Sequence, residues 1–85
     1  MKKLVEVEGS GLESLLGKVI TIFACRYIYT GVLIGVSDDC VELKHPSIVY
    51  ETGAFDKKDW ADAQKLPKDT WFVARSAIES FGEMK

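Results

Sequence analysis

Residues 31–46 read "GVLIGVSDDCVELKHP": an apolar run with a glycine at every fourth place, then Ser37 and two adjacent acids, then a second apolar run closed by His45-Pro46. Apolar and β-branched residues at this density, broken by three short polar ones, predict two strands joined by a tight turn. Ser37, Asp38 and Asp39 are residues whose side chains cap their own backbone in such turns, so Asp38-Asp39 reads first as the chemistry that starts the second of these strands. Tyr29, Gly31, Leu33 and Gly35 fall on one face of the first. Glycines on a face that is otherwise apolar let a strand bend or let another backbone approach, which predicts a strongly curved sheet. Proline cannot donate to a central ladder, so Pro46 is expected to end the later strand.

Upstream, "KVITIFAC" (18–25) and "RYIYTG" (26–31) carry the same period of two, so three consecutive strands form a meander. Ahead of them, Ser10-Gly11-Leu12-Glu13 fits a capping box and Leu12, Leu15 and Leu16 share a stripe, predicting one short helix that stops at Gly17. Residues 1–9 form an arm or edge strand, and the domain proper is 10–85. Downstream, residues 46–69 read as a long excursion between strands, with an extended piece at "SIVYETG" and room for one helical turn before Pro67. "TWFVARSAIESF" (70–81) then supplies two short strands around a polar corner at Arg75-Ser76. The whole is the order of a mainly β, five-stranded, strongly bent antiparallel barrel with a short N-terminal helix.

Composition narrows the function classes. An 85-residue chain is one domain, and at this size only about 60–65% of the unfolded surface is buried, so the core is marginal and oligomerisation a natural remedy. Apolar residues at 47% and charged residues at 28% describe a chain that folds. The net charge of −2 gives no global attraction to nucleic acid, so anion binding would need a local cluster of the 11 basic residues. Cys25 and Cys40 lie in apolar runs without metal spacing and read as buried thiols. No sustained apolar segment follows Lys2 and Lys3, so neither a signal peptide nor a membrane span is expected, and the expected location is cytoplasmic. One histidine, His45, and no triad, paired-carboxylate or phosphate-loop arrangement leave no enzymatic chemistry to assign, and no cofactor is expected. Metal binding by His45 with Asp38 or Asp39 has no spacing signal.

Three motifs together resemble the Sm-like family, the small RNA-associated barrels that include Sm, Lsm and Hfq proteins. Gly17-Lys18-Val19-Ile20-Thr21-Ile22 is similar to its first strand. Tyr29-Thr30-Gly31-Val32-Leu33 followed by Ser37-Asp38-Asp39 is similar to its second strand and turn, and Phe72-Val73-Ala74-Arg75-Ser76-Ala77-Ile78 to its closing corner. The resemblance covers residues 10–81. It implies a homo-oligomeric ring of six or seven subunits, joined through the last two strands, that binds single-stranded RNA at its pore in the manner of an RNA chaperone. It places Arg75, Ser76, Asp38 and Asp39 at that pore. Counting on from Gly31, the family's aspartate falls on Ser37, its stacking aromatic on Asp39 and its base-reading asparagine on Val41. An acid at the stacking position cannot stack on uracil, whereas an aromatic there contributes roughly 1–3 kcal/mol per base.

Each site has a structural alternative. Arg75 either forks onto phosphate or a guanine edge, or pairs with Asp38 or Asp39 across a subunit boundary. Asp38 either reads a base edge or belongs to the turn, and Ser76 either donates to a base or finishes the corner. Lys57, Lys58 and Trp60 combine basic and aromatic character as single-stranded nucleic-acid surfaces do, yet Asp56, Asp59 and Asp62 flank them and favour a solvated helical face with Trp60 docked. Arg26, Tyr27 and Tyr29 are either a stacking surface or strand packing, and Lys2, Lys3, Lys18 and Lys44 are scattered. Two further function classes stand beside RNA binding. One is an Sm-like ring serving as a structural or protein-interaction module through Phe55 and Trp60. The other is a monomeric SH3-like domain that binds an extended peptide with Tyr27, Tyr29, Trp60 and Trp71.

Overall fold

The computed structural model describes residues 11–84. Its elements run in the order of a 3-10 turn (Leu12–Leu15), β1 (Val19–Ala24), β2 (Ile28–Val36), β3 (Cys40–Glu51), β4 (Asp62–Lys65), β5 (Thr70–Ala74), a second 3-10 turn (Arg75–Ala77) and β6 (Ile78–Gly82). All pairings are antiparallel, in one sheet of order β4-β3-β2-β1-β6, with β5 also on β3. The protein is thus mainly β, and the meander expected over residues 18–45 is present as β1 to β3.

The third strand does not stop at His45-Pro46. β3 continues to Glu51, and the expected excursion over 46–69 shrinks to residues 52–61 plus the short link 66–69. Proline is tolerated because two residues of β3 stand against one of β2: Val32 pairs with Lys44 and Thr30 with Ser47, leaving His45 and Pro46 opposite Gly31. At such a bulge the missing proline amide breaks no ladder bond. His45 adopts φ 54° to make it. The two freed groups find partners across the next strand pair, as the His45 amide donates to the Asp69 carbonyl (2.9 Å) and the Leu66 amide to the Pro46 carbonyl (2.9 Å).

The bulge splits one edge of β3 between two partners. Residues 47–51 pair with β4 and residues 40–44 with β5, so β4 and β5 follow each other along one edge as a single interrupted strand. Six strands therefore replace the expected five. The residues of β4 were expected within an excursion holding a helical turn, and they extend instead because their backbone completes the β3 ladder. The N-terminal helix is a single 3-10 turn that buries Leu12, and Ser10 of the expected capping box lies outside the described residues, as does the arm over 1–9.

The core is built from Leu12, Ile20, Ile22, Leu33, Val41, Leu43 and Val73. Gly31 has the role its position suggested, since a Cβ there would stand 3.0 Å from the Lys44 carbonyl oxygen and 3.2 Å from the Leu43 Cβ. Gly35 does not share its face. A second register shift falls between Leu33 and Gly35, after which Val36, paired with Val41, returns to the core side. Cys25 is exposed and Cys40 half-buried, both as free thiols, so neither is the core filler its apolar setting suggested; both sit at hairpin ends, where a strand leaves the core.

The sheet is forced to curl. β5 and β6 lie at opposite ends of the path β5-β3-β2-β1-β6, which laid flat would separate them by about 19 Å. The three residues Arg75–Ala77 that join them reach at most about 15 Å. No pairing joins β5 to β6 among the described residues, so each keeps one backbone edge unpaired.

Candidate functional site

The corner that links β5 to β6 is fastened on both sides. The Arg75 amide donates to the Asp39 carbonyl (2.8 Å), tying the corner to the turn between β2 and β3, and the Cys25 amide donates to the Ala77 carbonyl (2.9 Å), tying it to the hairpin between β1 and β2. Four of the residues singled out in the sequence are thereby drawn to one place: Asp38 and Asp39 on the turn, Arg75 and Ser76 on the corner.

Within that cluster Ser37 holds the turn. Its hydroxyl accepts from the amides of Asp39 (3.3 Å) and Cys40 (3.2 Å) and donates to the Cys40 carbonyl (3.2 Å), while its own amide donates to the same carbonyl (2.9 Å). The carboxylates of Asp38 and Asp39 are not needed for this and stay exposed. The half-buried Arg75 donates through Nη1 to the Ser37 carbonyl (2.8 Å). Neither acid forms an ion pair with Arg75 among the described residues, so the guanidinium engages backbone of its own chain and not a carboxylate. A charged donor on a neutral carbonyl leaves the positive charge uncompensated, with two exposed acids nearby to repel an anion.

The remaining candidates are spread out. Lys57 and Lys58 are exposed on an irregular loop rather than a helix, between Phe55 and the half-buried Trp60, whose rings meet edge to face at 6.4 Å. Lys18 is paired with Glu83 at 3.1 Å, while Lys44 is exposed on β3 just before the bulge. Lys2 and Lys3 lie outside the described residues. Among the described residues no three of His, Cys, Asp and Glu gather as metal ligands, and no helix is long and apolar enough to cross a membrane.

A groove of about 370 Å³ lies between the β1–β2 hairpin and β5, lined by Cys25, Arg26, Tyr27, Tyr29, Phe72 and Val73, with alanines 24, 74 and 77 between them. Tyr27 and Tyr29 meet edge to face at 6.1 Å within it. Three of its walls, Ala24, Tyr29 and Val73, belong to the core or its margin, so the groove opens onto the inner face of the sheet beside the unpaired edge of β5.

Exposed aromatic residues mark both open edges. Phe72 on β5 is 61% exposed, Trp71 beside it 37%, and Phe81 on β6 39%. Phe72 and Phe81 were not among the candidate site residues of the sequence, because aromatics within short apolar strands read as packed until the neighbour on their outer side is known to be missing. Comparison with protein-family models, with curated proteins and with solved structures finds no match to this chain.

Proposed function

We propose that this chain is an Sm-like module whose copies join into a homo-oligomeric ring, β5 of one to β6 of the next, and that the ring serves as a structural or protein-interaction platform. The observation that supports this reading is the contrast between its edges. β4 (Asp62-Ala63-Gln64-Lys65) is charged at both ends and followed by Pro67, which guards an edge against pairing. β5 (Thr70–Ala74) holds no charged residue and β6 a single one, Glu79, and each presents an unpaired backbone row beside exposed aromatic rings. Closed cyclic assembly removes both edges at once. Static light scattering tests it: a ring gives a mass several times the 9.5 kDa subunit. A monomer at micromolar concentration would overturn it and leave the SH3-like peptide-binding reading.

RNA binding is the second reading, and the loop at 55–60 supports it, where two exposed lysines sit on the segment joining the edge-to-face rings of Phe55 and Trp60. Fluorescence anisotropy with labelled oligo-U and oligo-A at low and near-physiological salt decides it. Binding at that loop weakens with salt and is lost in Lys57→Glu/Lys58→Glu. Binding that is lost instead in Arg75→Ala, with assembly intact, would return RNA to the Arg75 corner. No binding by an assembled ring would leave the platform reading alone.

A further inference from the structure

From the groove between the β1–β2 hairpin and β5 we infer a specific occupant: the side chain of Phe81 from β6 of a second copy of this chain. The inference rests on the ring reading above and adds the residues that seat one copy on the next.

Register leads to it. Phe81 pairs with Ile22, so it stands on the face of β6 that the core occupies, yet at the sheet's end it remains part-exposed. Val73 pairs with Val41 and stands on the core face of β5. Directly paired residues of an antiparallel sheet share a face. A second copy's β6 added to the open edge of β5 in the register that sets its Phe81 against Val73 brings that ring to the side on which Val73 and Tyr29 line the groove. An aromatic ring laid against the tyrosines fills an apolar cavity that the subunit leaves open. The charges agree with this occupant. Arg26 is the charged residue of the groove, with no acid among its lining residues, whereas β6 and the residue after it carry Glu79 and Glu83 and no base. Glu83 is engaged by Lys18 of its own chain, which leaves the exposed Glu79 to meet Arg26. A nucleobase would also find stacking partners here, but it would have to displace a complementary segment that every copy carries.

Cys25 makes the contact testable, because this exposed free thiol lines the groove. In a Cys40→Ser background, Phe81→Cys places a thiol on the occupant. Mild oxidation is then expected to give a ladder of disulfide-linked multiples on a non-reducing gel, lost with reductant and absent when Cys25→Ser is added. Should Phe81→Cys fold poorly, the charge pair gives an independent reading: Arg26→Glu is expected to weaken assembly at least several-fold, and adding Glu79→Arg to restore it. A wild-type monomer would overturn the ring reading and this inference with it. An assembled ring that gives no ladder, or no rescue by the charge swap, overturns only the occupant. Protection of Cys25 from alkylation by oligo-U, with assembly unchanged by Phe81→Ala, would assign the groove to nucleic acid instead.

Discussion

Gly31 shows how one residue fixes the geometry around it. The bulge on β3 presses the Lys44 carbonyl toward the position a Cβ would take, at 3.0 Å, and the blocking atom is backbone that cannot swing aside. Gly31→Ala is therefore expected to destabilise the domain by about 1–3 kcal/mol in urea denaturation, the range for overpacking a closed site. Gly35→Ala, whose new atom would stand 3.4 Å from the Glu42 side chain, is expected to cost much less. Equal losses at the two glycines would mean that close approach is not what Gly31 provides. At the same scale, Ser37 and Arg75 divide the work that the sequence could be read as giving to Asp38 and Asp39. Ser37 closes the turn with its hydroxyl and Arg75 secures it from the corner, so the two carboxylates are left exposed on a rigid support. The residues of this cluster were legible in the sequence as turn formers and as a lone arginine at a corner. Which acceptor Arg75 takes was not, because a backbone carbonyl carries no side-chain signal.

At the scale of the element, the decisive unit is β3, bent at His45-Pro46 so that one strand serves β5 with its first half and β4 with its second. Strands β1, β2, β5 and β6 were readable from period-two runs of β-branched and aromatic residues, and their order from the short breaks between them. The extension of β3 past Pro46 was not readable, because proline's exclusion from a ladder holds only for regular pairing, and the bulge that suspends it depends on Gly31 across the sheet. The burial of Cys25 and Cys40 was misjudged for a related reason: apolar runs give the period of a strand but not the point where it leaves the core. The bend itself is testable. His45 sits at φ 54°, where a side chain ordinarily costs about 1–2 kcal/mol. His45→Gly is expected to leave stability unchanged or raise it by up to about 1 kcal/mol, and the β-branched His45→Val to lower it by about 1–2 kcal/mol. A valine variant as stable as wild type would show that β3 can bend without the left-handed residue.

For the whole molecule, curvature and openness belong together. A three-residue corner draws β5 and β6 round, while no pairing between them closes the sheet among the described residues, so a small core faces two open edges. A domain of this size has little stability to spare, and burying the rings of Phe72, Trp71 and Phe81 between copies would add to it. That links folding to concentration. If subunits unfold as the ring dissociates, each tenfold rise in protein concentration stabilises a subunit by about 1 kcal/mol through mass action alone. For a domain of 60–100 residues such a gain raises the melting temperature by about 4–8 °C. Scanning calorimetry at two concentrations tenfold apart is expected to show that shift in the wild type and to lose it in Phe81→Ala, which would melt lower and at one temperature. A wild-type midpoint that ignores concentration would mean that the subunit reaches its full stability alone, and that its open edges are kept for a partner other than itself.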